Sequence, residues 1–181
     1  TNEATRPVDP VTVAENTRRY VYEGIFEPRQ RTGKRPATLR EEALELRRRY
    51  RGVLEIRSRI PIRDHHILNL VYLPPAALAP VDEIRINREA VYDLTVKSNL
   101  VAIVTDGSAV LGLGDIGPQA ALPVMEGKAV LFQSLGGVEA FPVCIAERDP
   151  QRIVDIVAAI APSFGGINLE DISAPRCFEI E

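Results

Sequence analysis

The segment GGINLEDIS, residues 165–173, sets two adjacent carboxylates, Glu170 and Asp171, between a Gly-Gly turn and a short apolar run. Like charges side by side on an extended chain repel and point to opposite faces, so the pair is a poor structural device by itself. Two readings stand at this point. One is a solvated acidic turn, common on protein surfaces. The other is a pair of oxygen ligands for a hard divalent ion such as Mg²⁺ or Mn²⁺, which often takes one or two carboxylates and completes its shell with water and substrate. Lys128 is a second residue with chemical capacity. It is the only lysine after Lys97 and is flanked by LPVME and AVLF. A desolvated lysine has a lowered pKa and can act as a general base; a snorkelling one keeps its head in water.

Two other motifs lose their meaning in context. GLGDIG, residues 112–117, matches G-x-G-x-x-G and has Glu139 at a suitable distance downstream. A dinucleotide fingerprint needs a turn running straight into a regular helix, whereas Pro118 and Pro123 interrupt this segment and Asp115 adds a negative charge to the would-be anion cradle. The EGKA segment lacks the first glycine and the final Ser or Thr of a P-loop, having Leu122 and Ala129 there. Adjacent His65 and His66 diverge on an extended chain and read as loop residues.

The elements that must carry these side chains follow from periodicity. LVAIV, residues 100–104, reads as a buried strand ending at an Asp106-Gly107 turn, and AVLGLG as a second short apolar run. GPQAALPVMEGKAVLF reads mainly as helix, VEAFPVCIA as a strand, and Asp149-Pro150 as the cap and first position of a helix whose apolar stripe includes Ile153 and Val157. GINLEDIS is a last strand that delivers the acidic pair at its end. Strand, helix, strand, helix, strand predicts an α/β, three-layer domain with a mainly parallel sheet flanked by helices, its sites at the carboxyl ends of strands.

Composition bounds the rest. At 181 residues, 45% hydrophobic and 26% charged, the chain can bury one core and carry an appendage. Residues 1–63 hold 15 of the 22 Lys and Arg against 9 acids, and the remainder is acidic. The arginine run 47–51 sits at the end of a capped amphipathic helix begun by Thr38 and Glu41, with Leu39, Ala43, Leu46 and Tyr50 on one face. A basic, mainly helical arm, residues 1–63, lying on its own or a neighbour's acidic body, residues 64–181, explains the split better than nucleic acid does. No apolar stretch reaches the roughly 20 residues that span a bilayer, and two widely spaced cysteines, Cys144 and Cys177, suit a reducing cytoplasmic setting.

Three long segments, 99–132 (NLVAIVTDGSAVLGLGDIGPQAALPVMEGKAVLF), 136–145 (GGVEAFPVCI) and 164–181 (FGGINLEDISAPRCFEIE), resemble the N-terminal domain of bacterial malic enzymes. The resemblance is close over residues 97–181 and looser over 39–96. It implies oxidative decarboxylation of malate to pyruvate and CO₂ with NAD or NADP and Mg²⁺ or Mn²⁺, in a homodimer. It further implies that Glu170 and Asp171 are metal ligands, Lys128 the general base and Tyr72 the general acid. Where the family has Thr-Pro-Gly-Val-Ala after the tyrosine, this chain has Leu73, Pro74, Pro75, Ala76 and Ala77, so a proline replaces a glycine. The family's dinucleotide-binding Rossmann domain, which carries further metal and malate ligands, is expected beyond Glu181, leaving this chain inactive alone. A stand-alone, non-catalytic module for binding or oligomerisation is the alternative expectation.

Overall fold

A computed structural model describes residues 38–181. Three parallel strands form its sheet: β1 (Leu100–Thr105), β2 (Glu139–Cys144) and β3 (Gly166–Leu169), in the order β2-β1-β3. The register sets Val101 against Ala140 on one side and Gly166 on the other. The helices α1 (Leu39–Tyr50), α2 (His65–Val71), α3 (Ala79–Ile86), α4 (Val91–Leu94) and α5 (Gly117–Gly136) precede β2 in the chain. Then come α6 (Pro150–Ile160), between β2 and β3, and α7 (Arg176–Ile180). The crossover through α5 steps from β1 to β2, and the one through α6 returns past β1 to β3. Right-handed crossovers in opposite directions place their helices on opposite faces of the sheet, which is the expected three-layer α/β arrangement.

β1 is central and reads as an unbroken apolar run because both of its faces are covered. Ala102, Ile103 and Val104 are fully buried. Ile103 packs with Met125 and Ala129 of α5, and Leu54, Phe132, Ala140 and Cys144 close around them. On α6, Asp149 caps the helix by accepting from Arg152 N–H at 3.0 Å, Pro150 opens it, and Ile153 is the buried member of the apolar stripe.

Several expectations need correcting. α5 runs unbroken through Pro123 for 20 residues rather than being interrupted there. An interior proline forfeits one helix hydrogen bond at a cost of about 3 kcal/mol; burial of Ala121, Met125 and Ala129 on the same helix offsets it. His65 and His66 are not loop residues: they form the first turn of α2, which Asp64 caps by accepting from Ile67 N–H at 2.8 Å. The short apolar run after residue 108, to which the sequence assigned no element, turns back on itself over residues 110–114 through a single bridge between Val110 and Gly114.

α1 has the expected capping box, Thr38 with Glu41. Its apolar residues, however, are not buried, and Leu39 is 86% exposed. What fastens the helix is polar: Arg47 reaches Glu126 and the Pro123 carbonyl on α5. Further along, Arg59 pairs with Glu139 at 2.6 Å. Two arginines in the described part of the basic segment thus pair with acidic residues of α5 and β2. The apolar cluster Tyr20, Tyr22, Ile25 and Phe26 falls outside the described residues.

Candidate active site

In a sheet of order 2-1-3 the ligand crevice lies beyond the carboxyl ends of the first and third strands, where successive connections leave in opposite directions. The loop after β1 carries Asp106, Gly107 and Ser108; the loop after β3 carries Glu170 and Asp171. Glu170 still belongs to the sheet at its backbone, since its N–H donates to Val104 O at 2.9 Å. The chain then swings out: Asp171 adopts a left-handed conformation, φ 54°, that non-glycine residues rarely take. This turn resolves the repulsion anticipated for adjacent carboxylates, because the two need not alternate as on a regular strand.

Lys128 projects from α5 into this crevice. Its Nζ lies 3.0 Å from Glu170 Oε2, which also accepts from Asn168 Nδ2 at 2.9 Å. The lysine side chain is 37% exposed and the glutamate 25%, so the ammonium is neither fully buried nor free in water: it is held against a carboxylate. Asp171 has no such partner among the described residues. Burial pushes its carboxyl pKa up, the neighbouring Glu170 charge raises it further, and Lys128 opposes both. In linkage terms, a carboxyl raised in the fold costs stability once pH exceeds its folded pKa, and that cost disappears below its unfolded pKa.

The site is therefore short of positive charge, and its free donors are hard oxygens on adjacent residues, the set that Mg²⁺ or Mn²⁺ takes. Glu170 and Asp171 fit such an ion. They do not complete it, for among the described residues no three His, Cys, Asp or Glu side chains gather as a metal centre.

Tyr72 stands apart. It follows α2, donating its backbone N–H to Leu68 O at 3.0 Å, and its side chain makes no hydrogen bond among the described residues. At 76% exposure it is open to solvent. Pro75 adopts φ −86° and precedes a short 3₁₀ turn, so the departure from glycine is accommodated locally. The structure thus brings Lys128, Glu170 and Asp171 together and leaves Tyr72 outside any bonded contact with them. A cavity of about 1100 Å³ lies elsewhere, between residues 54–60, β2 and α5, and its lining omits all four residues.

The N-terminal domain model of malic enzymes matches residues 53–151. The chain belongs to the malic enzyme family. A bifunctional malic/malolactic enzyme of Bacillus subtilis is 54% identical over 144 residues, covering 80% of this chain and 35% of that protein. An NAD-dependent malic enzyme of Geobacillus stearothermophilus is 58% identical over 130 residues, 72% of this chain and 27% of its own length. The crystal structure of malic enzyme from Pyrococcus horikoshii superposes with a TM-score of 0.75 at 50% identity, over 79% of this chain and 34% of that one. The chain thus spans about a third of the malic enzymes it matches.

A feature not anticipated from the sequence lies directly behind the malic enzyme acidic pair. Asp106 is fully buried; its Oδ1 accepts from Ser108 N–H at 3.0 Å and Ser108 Oγ–H at 2.5 Å, while Arg176 Nη2 stands 3.0 Å from Oδ2. Arg148, 4.0 Å from the same oxygen, is committed to Asp115 through a bidentate pair at 2.8 and 2.9 Å. The signal available in the sequence was an aspartate placed immediately after a buried strand, which reads as a turn former until the sheet order shows what lies beside it. Gly107 makes the turn possible: with φ +67°, a Cβ there would collide with the Gly117 carbonyl, and its own carbonyl accepts the Ile116 and Gly117 N–H groups at the start of α5.

Proposed function

We propose that this chain is the N-terminal catalytic portion of a malic enzyme, acting with a dinucleotide-binding portion to convert malate to pyruvate and CO₂. The observation that supports this most is the meeting of Lys128, Glu170 and Asp171 at the carboxyl ends of β1 and β3, in a chain about half identical to malic enzymes. Relatives are named for NAD and for NADP alike, and either nicotinamide is consistent with the reading. Glu170 and Asp171 would hold Mg²⁺ or Mn²⁺, which supplies Lewis-acid stabilisation of charge developing on a bound 2-hydroxy acid.

The chain's own groups do the rest. Lys128, whose Nζ lies 3.0 Å from Glu170 Oε2, is the group within reach of a hydroxyl bound beside that carboxylate and would accept its proton at Nζ. Tyr72 is the proton donor to C3 of the decarboxylated product. Because the chain spans about a third of its relatives, we expect it to be inactive alone. The alternative module, binding without catalysis, is favoured only by the exposure of Tyr72.

The isolated chain should bind Mn²⁺ weakly, since it offers two carboxylates and no substrate. Calorimetric titration should give an affinity weaker than micromolar, lost in Glu170→Gln with Asp171→Asn; sub-micromolar binding, or binding indifferent to those changes, rejects the metal assignment. In a longer protein containing this domain, malate-dependent reduction of NAD or NADP with Mn²⁺ should vanish in the same double variant.

We further propose residues 1–63 as an arm and 64–181 as the enzyme domain, with self-association as a homodimer through the arm. The apolar residues Tyr20, Tyr22, Ile25 and Phe26, clustered in the basic sequence RRYVYEGIFEP, support this. Sedimentation should show a concentration-dependent dimer; a monomer throughout, or a dimer surviving deletion of residues 1–38, argues against it. No described helix is long and apolar enough to cross a membrane and both cysteines are unpaired, which supports a cytoplasmic setting; the net charge of −3 of the whole chain is the reason to expect no nucleic-acid partner.

A further inference from the structure

The loops after β1 and β3 are stitched together on either side of the Asp171–Ile172 peptide. Ala109 N–H donates to Asp171 O at 3.0 Å, and Ser173 N–H donates to Ser108 Oγ at 2.8 Å. Both stitches depend on the turn that Asp106 organises, because Ser108 is held by Asp106 Oδ1 through its amide and its hydroxyl. Ile172, between the stitches, is buried. The left-handed conformation of Asp171, which aspartate tolerates better than most side chains, is bracketed by these two bonds on one side and by the Glu170 N–H bond to Val104 O on the other.

A fully buried carboxylate needs a positive partner, or desolvation makes its charged form costly. Arg148 is 4.0 Å away and bound to Asp115, which leaves Arg176. Arg176 does more than neutralise. Its Nη2 also donates to Ser173 Oγ at 2.8 Å and its Nη1 to the Arg148 carbonyl at 2.6 Å, so one guanidinium ties the loop after β3, the loop before α6 and the buried acid into one unit. The contact with Asp106 Oδ2 is an ion pair without a hydrogen bond, and the planar fork lets one side chain make it while donating to the other two partners.

We infer that Arg176 is a positioning residue for the Glu170–Asp171 pair: by neutralising Asp106 and gripping Ser173 it holds the Asp171 turn in the geometry that presents both carboxylates to a divalent cation. This rests on the proposed metal-binding reading of that pair, and Arg176 itself touches neither carboxylate in any hydrogen bond or ion pair of the described structure. Groups that bond a metal's ligands directly are worth about 10 to 100-fold in metal affinity; Arg176, a further step away through Ser173 and the Asp106 turn, should contribute at the lower end of that range.

The test uses the full chain and Mn²⁺ alone as probe, with free Mn²⁺ followed by electron paramagnetic resonance and amide exchange of Ala109 and Ser173 followed by NMR. Arg176→Met should weaken Mn²⁺ binding by about 10-fold and accelerate exchange at both amides. Arg176→Lys, which keeps charge and loses the fork, should recover part of each. The pair Asp106→Asn with Arg176→Met removes the buried charge yet leaves a side-chain carbonyl that can still accept from Ser108. It should restore thermal stability but leave the Ser173 amide less protected and Mn²⁺ binding weaker than in the unaltered chain, because the bond to Ser173 Oγ is still missing; if Arg176→Met does not fold, this variant is the one read, and full recovery of both protection and binding overturns the proposal. An Arg176→Met chain with lowered melting temperature but unchanged Mn²⁺ affinity and unchanged exchange overturns the proposal, since that is what a purely structural ion pair would give. If wild-type Mn²⁺ binding is indifferent to Glu170→Gln with Asp171→Asn, it is the metal reading that fails; the positioning of the turn then stands or falls on the amide exchange, and protection unchanged in Arg176→Met rejects it.

Discussion

Replacing Lys128 by alanine in a malic enzyme that contains this domain should reduce malate oxidation by at least ~10²-fold, the contribution typical of a positioned base. Geometry is the reason. Lys128 Nζ is 3.0 Å from Glu170 Oε2, so a substrate hydroxyl brought to a cation on Glu170 and Asp171 arrives within proton-transfer reach of the amine. The loss should appear in kcat and kcat/KM together, because proton removal is needed only as the transition state is approached. Small exogenous amines should restore part of the rate by diffusing into the space left by the side chain. Glu170 keeps its bond from Asn168 in the variant, so Mn²⁺ binding should be retained, and that separates loss of the base from loss of the metal. Full malate oxidation by Lys128→Ala would remove the lysine from the mechanism.

Much of this site was legible in the chain because it sits where strong local patterns end. β1 and β3 are short apolar runs bounded by Gly and Asp, and the acidic doublet follows β3 with nothing between them to obscure it. The sheet order, which makes the two strand ends neighbours, was not legible, since periodicity locates strands without saying which of them pair. For the same reason Asp106 read as a turn residue and Arg176 drew no reading at all: each acquires its role from a partner far along the chain or across a loop. α5 shows a different limit. Pro123 argues locally for a break, and the buried face carrying Met125 and Ala129 against Ile103 explains why the helix continues. Family likeness supplied the roles of Lys128 and Tyr72; the residues alone left the first open and gave no reason to choose the second.

Tyr72→Phe tests the weaker of those two assignments and should fail in a different way. Hydride departure and decarboxylation precede protonation of the three-carbon enol, so a variant lacking only the acid should form that product and stall in returning a proton to C3. The separable readout is exchange of pyruvate's methyl protons in deuterated water, which needs no hydride transfer and should slow by about 10² or more if the phenol is the donor. Lys128→Ala should affect malate oxidation first. The structure defines what this asks of Tyr72: its side chain is 76% exposed at the end of α2 and unbonded to Lys128 or to the acidic pair. A phenol in water is a poor positioned acid, so catalysis requires that substrate and the remaining walls of the site enclose it. The Leu73-Pro74-Pro75 sequence that follows is where this chain departs from the family's turn. If that departure holds the ring away from the crevice even in the complete enzyme, Tyr72→Phe will exchange protons at the wild-type rate, and the tyrosine leaves the mechanism while Lys128 and the acidic pair remain in it.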